Sequence, residues 1–353
     1  MKMILSIFFC ASVCAAADLQ RPPGLPLTNA PQLTPLLGDK TSRPISTPAA
    51  WQQRRESLKQ VWLRFMGEIQ REPKPPLETE WLEKEDLPEF TRQKVRYQIE
   101  DGHFIDALLL TPKGAEGICP AVVVFHPTYP KFYARVAGLE PADEERQHAI
   151  LLVKRGYVVL CPRCYIYEGG VEMKGGTTDM KNNVARMQQR HPNWTGMARM
   201  TWDGVRAVDF LESLPNVDRK RIGGFGHSLG AKEVLYAAAF DERYKAAVFS
   251  EGGIGLGFSN WEAAWYLGPR IQEPDFALEN HQVLALIAPR AFLLLAGDSA
   301  DGDRSRAFID AARPVYQLLG ASQNIGWLNH HQGHSYPPEA RAAAEEFLDR
   351  HLR

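Results

Sequence analysis

The sequence predicts an α/β protein with a mostly parallel, doubly wound sheet, helices on both faces and lid-like insertions. Three observations carry that prediction. From about residue 90, short apolar runs alternate with helical stretches, as strand–helix–strand units do. Several runs, PAVVVFHP (120–127), YVVLCP (157–162) and RAFLLLAGD (290–298), are apolar with little or no polar alternation, as strands covered on both faces must be. And in RIGGFGHSLGAKEVLYAAAF (221–240) a strand pattern turns directly into a helix pattern across Ser228, with Gly226 and Gly230 on either side.

Taken in order, the chain opens with MKMILSIFFCASVCAAADLQ. Lys2, an apolar run from Met3 to Val13, and Ala15 and Ala17 in an A-x-A arrangement predict a secretory signal peptide over residues 1–17. The run is too short to span a bilayer, and no later stretch qualifies. Residues 18–49 hold seven prolines and little apolar periodicity, which reads as an extended arm. Residues 50–70 place Trp51, Leu58, Val61, Trp62, Phe65 and Met66 at helical spacing, an amphipathic helix that must dock on something. The organisation expected is therefore signal peptide 1–17, arm and helix 18–88, and catalytic domain 89–353.

Within that domain, KVRYQIEDGHFIDALLLTP (94–112) is two strands joined at Asp101–Gly102, a hairpin signal. A helix over 142–155 stops at Gly156, and the strand 157–162 follows. The polar, Gly-rich stretch 167–196 is too long for a simple connection, a length that marks functional or mobile segments. Next come a helix (197–214), the strand–Ser228–helix unit, a strand (244–250) and an aromatic insertion, GFSNWEAAWYLGPR (257–270). A strand (290–296), a helix interrupted near Pro314, a last strand and loop (324–334) and a closing helix (339–352) complete the chain.

The 41 basic and 42 acidic residues nearly balance, so nothing points to nucleic acid or an anionic membrane surface as partner. Cys119, Cys161 and Cys164 remain after the signal segment, enough for one intradomain bridge at most. The C-P-R-C spacing has no second cysteine pair to complete a zinc site, so structural thiols are expected.

Gly226-His227-Ser228-Leu229-Gly230 is a G-x-S-x-G flanked by strand and helix, the context a nucleophile elbow demands. The turn would lift the serine oxygen above the sheet beside a helix N-terminus, where the Leu229 N–H can help bind an oxyanion. A serine hydroxyl needs a base, and in such folds the order is serine, acid, histidine. His334, after the last strand, stands where the base belongs. His330 and His331 are its neighbours, but without a surrounding carboxylate cluster a metal is not expected. For the acid, Asp301 is favoured, with Asp298, Asp303 and Glu251 as rivals. The second oxyanion donor is expected from the Thr128 N–H, because Pro127 has no N–H to give. His227 is expected to pack rather than react.

In order, HPT, RGYVVLCPR, DGVRAVDFLESLPNVDRKRIGGFGHSLGAKE, LLLAGD and GHS-P resemble the α/β-hydrolase superfamily, and within it the dienelactone hydrolase and acetylxylan esterase-like branch. The likeness covers about residues 90–353. It implies a cofactor-free Ser–His–Asp hydrolase; Ser228 in place of the cysteine of dienelactone hydrolases proper favours ordinary ester cleavage. Exported esterases of this kind would take small-molecule or carbohydrate esters, short acyl groups such as acetyl above all. Trp194, Trp202, Trp261, Trp265 and Tyr266 could stack on sugar rings or simply pack the insertions onto the domain. A prolyl-oligopeptidase-like peptidase and a non-enzymatic hydrolase-fold binding protein are the alternatives.

Overall fold

The computed structural model describes residues 31–38, 44–69, 74–114, 117–128, 132–140, 146–170 and 177–353. The expected signal peptide lies outside them. So do Tyr129, much of the proline-rich arm, the start of the helix expected from residue 142, and residues 171–176 of the Gly-rich stretch.

Nine strands form one sheet in the order β1-β2-β3-β5-β4-β6-β7-β8-β9. They are β1 (Thr79–Asp86), β2 (Phe90–Glu100), β3 (His103–Pro112), β4 (Cys119–Phe125), β5 (Val158–Pro162), β6 (Val217–His227), β7 (Tyr244–Ser250), β8 (Ala291–Ala296) and β9 (Ile325–Asn329). β4 to β9 run parallel and β1 to β3 pair antiparallel at one edge. The hairpin turn falls at Asp101–Gly102, where Gly102 takes φ +67°, a left-handed value glycine adopts freely. Every residue of β4, β5 and β8 is buried, which is why their sequences do not alternate.

The helices are α1 (Pro48–Met66), α2 (Phe132–Val136), α3 (His148–Lys154), α4 (Thr177–Arg190), α5 (Gly196–Ser213), α6 (Leu229–Phe240), α7 (Asn280–Ile287), α8 (Arg306–Leu318) and α9 (Pro338–Leu352). Two apolar cores flank the sheet. One gathers α1, α5, α6, α7 and α8; the other gathers α2, α3 and α9. The expected amphipathic helix is α1, and its docking surface is α7. Trp62 is fully buried and donates from Nε1 to Gln282, while Arg55 donates to the Leu286 carbonyl in the last turn of α7. That carbonyl has no partner within its own helix, so Arg55 supplies the missing donor. Residues of the arm dock as well: Leu36 is buried, and His281 of α7 bonds to the Thr34 carbonyl.

Three details differ from expectation. β1 lies inside residues assigned to the arm, so a boundary at residue 88 cuts through the sheet. The Gly-rich stretch includes the fourteen-residue α4. And α8 runs through Pro314 without a break, because Phe308, Ile309, Ala312, Val315 and Tyr316 bury one face and packing outweighs the lost backbone bond. Cys119, Cys161 and Cys164 are buried free thiols, and burial pushes the Cys161 and Cys164 pKa values up, as inert structural cysteines require. No described helix is long and apolar enough to cross a membrane.

Candidate active site

Ser228 joins β6 to α6 at φ +60°, ψ −118°, a conformation costly to an L-residue. Its N–H donates to the Ser250 carbonyl at 2.8 Å, which anchors the strained turn to β7. The flanking glycines are dictated by sterics. A Cβ on Gly226 would lie 1.9 Å from the Gly230 carbonyl oxygen, and one on Gly230 would lie 2.0 Å from that of Phe125. The crowding lets α6 start directly over the strand ends, with Leu229 as its first residue and its N-terminal amides beside Ser228.

His334 stands in the loop between β9 and α9, half-exposed, with Nδ1 3.1 Å from Glu251 Oε2. Glu251 follows β7 directly, at φ +51°, and is fully buried. Its carboxylate also accepts the backbone amides of Gly297 (2.5 Å), Ala300 (2.9 Å) and Asp301 (3.3 Å) from the loop after β8. The two loops approach closely because Gly297 has no side chain. A Cβ there would meet the Gly333 carbonyl oxygen at 2.1 Å and the His330 ring at 2.4 Å.

Asp301, the acid favoured from sequence, does not face His334. Its two oxygens accept Gly253 N–H (2.6 Å), Ile254 N–H (2.8 Å) and the Ser305 hydroxyl (2.6 Å), so it staples the loop after β7 to the start of α8. The other rivals are spent too. Asp298 accepts from Asn329 and pairs with His331 at 2.6 Å, and Asp303 accepts from Asn329. Asp298, Asp303 and His331 bring three ligand-type atoms within 4.8 Å of one another, all exposed and already joined through these bonds. The three histidines of H-H-x-x-H thus diverge: His331 meets Asp298, His330 accepts from the Gln332 amide, and His334 meets Glu251.

His227 is buried, 2.9 Å from the Ser250 hydroxyl, with its ring 4.8 Å from that of His334. Burial, then the neighbouring imidazoles, hold its pKa well below the ordinary value, so it packs as a neutral ring. Thr128 follows β4. The loop carrying it is tied down by His126, whose Nδ1 bonds to the Pro127 carbonyl and whose Nε2 accepts from the Cys164 amide. Burial lowers the His126 pKa to about 4, keeping it in that single neutral tautomer. The Thr128 side chain shares a hydrogen bond with Tyr266 of the aromatic insertion.

Trp194, Trp202, Trp261 and Tyr266 are buried, which assigns those rings to packing; only Trp265 is partly open. What they enclose went unremarked in the sequence. Lys232, one turn after Ser228, donates to the Ser259 hydroxyl (3.1 Å) and Asn260 Oδ1 (3.0 Å), with its ammonium 4.5 Å from the Trp261 centroid and 4.1 Å from that of Tyr266. Burial brings its pKa down to about 7. The available signal was a lysine beside Glu233 in the largely apolar helix LGAKEVLYAAAF, four residues past Ser228.

The Solibacter usitatus glucuronoyl esterase superposes with a TM-score of 0.73 at 17% identity, over 92% of this chain and 99% of that one. The chain has the α/β-hydrolase fold. A profile of the dienelactone hydrolase family matches residues 105–267 of this chain, the span from β3 through the aromatic insertion. The protein YtaP of Bacillus subtilis (strain 168) is 26% identical over 315 residues, 85% of this chain and 100% of its own. The 4-O-methyl-glucuronoyl methylesterase of Cerrena unicolor is 26% identical over 195 residues, covering 45% of this chain and 40% of the relative.

Proposed function

We propose that this chain is an exported serine esterase of carbohydrate esters, with Ser228 as nucleophile, His334 as base and Glu251 as the acid that orients it. The observation that carries the reading is the His334 Nδ1–Glu251 contact at 3.1 Å beside a strained serine on a strand-to-helix turn. A buried carboxylate on Nδ1 fixes the tautomer that leaves Nε2 to take a proton. Ser228 Oγ attacks the ester carbonyl as its proton passes to His334 Nε2. The Leu229 and Thr128 N–H groups hold the oxyanion. The C–O bond breaks, the alcohol leaves with the proton from His334, and water repeats the sequence on the acyl-enzyme to release the acid.

The carbohydrate part rests on Lys232. A cation fixed one turn from the nucleophile, on a floor of aromatic rings, suits the hydroxyls of a sugar whose ester lies over Ser228. The glucuronoyl esterases among the comparisons support the same substrate class. The test is hydrolysis of p-nitrophenyl acetate, acetylated xylan, a methyl glucuronate ester and a chromogenic proline peptide by wild type and Ser228→Ala. Serine-dependent release from either sugar ester supports the reading and tells acetyl from uronoyl; cleavage of the peptide alone would replace it with a peptidase.

A further inference from the structure

A concavity of about 590 Å³ opens on the same rim of the sheet as Ser228. Its position follows from strand direction. β3 runs antiparallel to β5, with Ala107 beside Pro162, so the first residues of β3 lie at the carboxyl end of the parallel strands. Phe125 of β4 in turn pairs with Gly226. From β6 to β3 is three strand spacings, so the cavity sits about 15 Å along the rim from the nucleophile.

The lining is chemically mixed. Lys94, Arg96 and Arg163 face Glu80, Asp106 and Glu168, three positive side chains against three negative. They are partly paired: Arg96 lies 2.8 Å from Asp106 and 3.6 Å from Glu80, and Arg163 lies 3.9 Å from Asp106. Such a balance leaves no net field for an anion, yet it concentrates donors and acceptors with unused capacity. Half-buried Phe104 adds an apolar wall. The wall is held in register, because buried Arg199 bonds both His103, next to Phe104, and Glu168.

We infer that this cavity is a remote subsite for a neutral, polyhydroxylated segment, a stretch of the same glycan whose ester is cleaved at Ser228. The inference rests on the carbohydrate reading above. A ring face lies against Phe104, and its hydroxyls exchange hydrogen bonds with the alternating charges. The size is in the range of pockets that enclose small ligands.

The experiment is calorimetric titration of xylohexaose, which carries no ester, into wild type, Phe104→Ala and Phe104→Leu, with ester kinetics in parallel. Both variants should bind the oligosaccharide at least fivefold more weakly. KM on the polymeric ester should rise by a similar factor, while kcat and p-nitrophenyl acetate hydrolysis stay unchanged. The leucine variant keeps the apolar volume, so its loss isolates the ring. Equal affinity in all three proteins, no binding by wild type at millimolar ligand, or tighter binding of an anionic oligosaccharide than of the neutral one would overturn the subsite. Failure of the carbohydrate reading itself would look different: serine-dependent turnover of the small ester with no turnover of any sugar ester.

Discussion

The loops after β7 and β8 each bury one carboxylate completely, yet the two do different work. Glu251 accepts three amides and still offers an oxygen to His334; Asp301 spends both oxygens on two amides and a hydroxyl. Each loop therefore holds the other in place with its acid, and only Glu251 reaches His334. Depth of burial and distance in sequence from the last strands do not separate them. What separates them is where the remaining lone pairs point.

The widest break in the comparison is Ser228→Ala, which should lower kcat on p-nitrophenyl acetate by about 10⁴-fold or more while leaving the thermal midpoint nearly unchanged. Glu251→Gln comes next. With the wrong partner on Nδ1, kcat should drop about 10³-fold to 10⁴-fold. Asp301→Asn should cost about 1–3 kcal/mol in urea unfolding, since an amide nitrogen would face a backbone N–H, but change kcat less than tenfold. A larger kcat loss at Asp301 than at Glu251 would reverse the two roles.

Acidity sharpens the same contrast. Burial pushes the Asp301 carboxyl up to about 6, so between pH ~4 and 6 the folded protein holds a proton that the unfolded chain has given up. Its contribution is present at pH 4 and lost as pH rises through 6. The stability gap between wild type and Asp301→Asn should thus be larger at pH 4 than at pH 7 in paired urea titrations. The smallest effect is expected across the site. Lys232→Met should raise KM for a sugar ester about tenfold without altering p-nitrophenyl acetate hydrolysis. In wild type the same KM should climb above pH 7 as the ammonium, with its pKa near 7, loses its proton.

How legible these features were depends on whether their cause is local. The strand-to-helix turn at Ser228 could be read because two glycines around a serine answer a clash within a few residues of chain, and the place of His334 after the last strand because strand order fixes it. The carboxylate partner of His334 could not be read that way. Glu251 is distinguished by amides 46 to 50 residues away, a tertiary fact. The same holds for Pro314, tolerated because α8 buries one face, and for Lys232, whose aromatic floor comes from the insertion. β1 escaped notice because TEWLEKED has one strongly strand-favouring residue besides its threonine and a run of charges.

That charged composition has a consequence for handling the protein. β1 is an outer strand of the sheet, and beneath it β2 carries the apolar Val95, Tyr97 and Ile99. Glu80, Glu83, Lys84, Glu85 and Asp86 make the exposed rim a poor template for another chain, because pairing with it would crowd like charges together. A truncated version beginning at the hairpin would strip this guard and leave the eleven residues of β2, Val95, Tyr97 and Ile99 among them, as an unpaired edge. It would retain every residue of the proposed triad and be prone to associate through that edge.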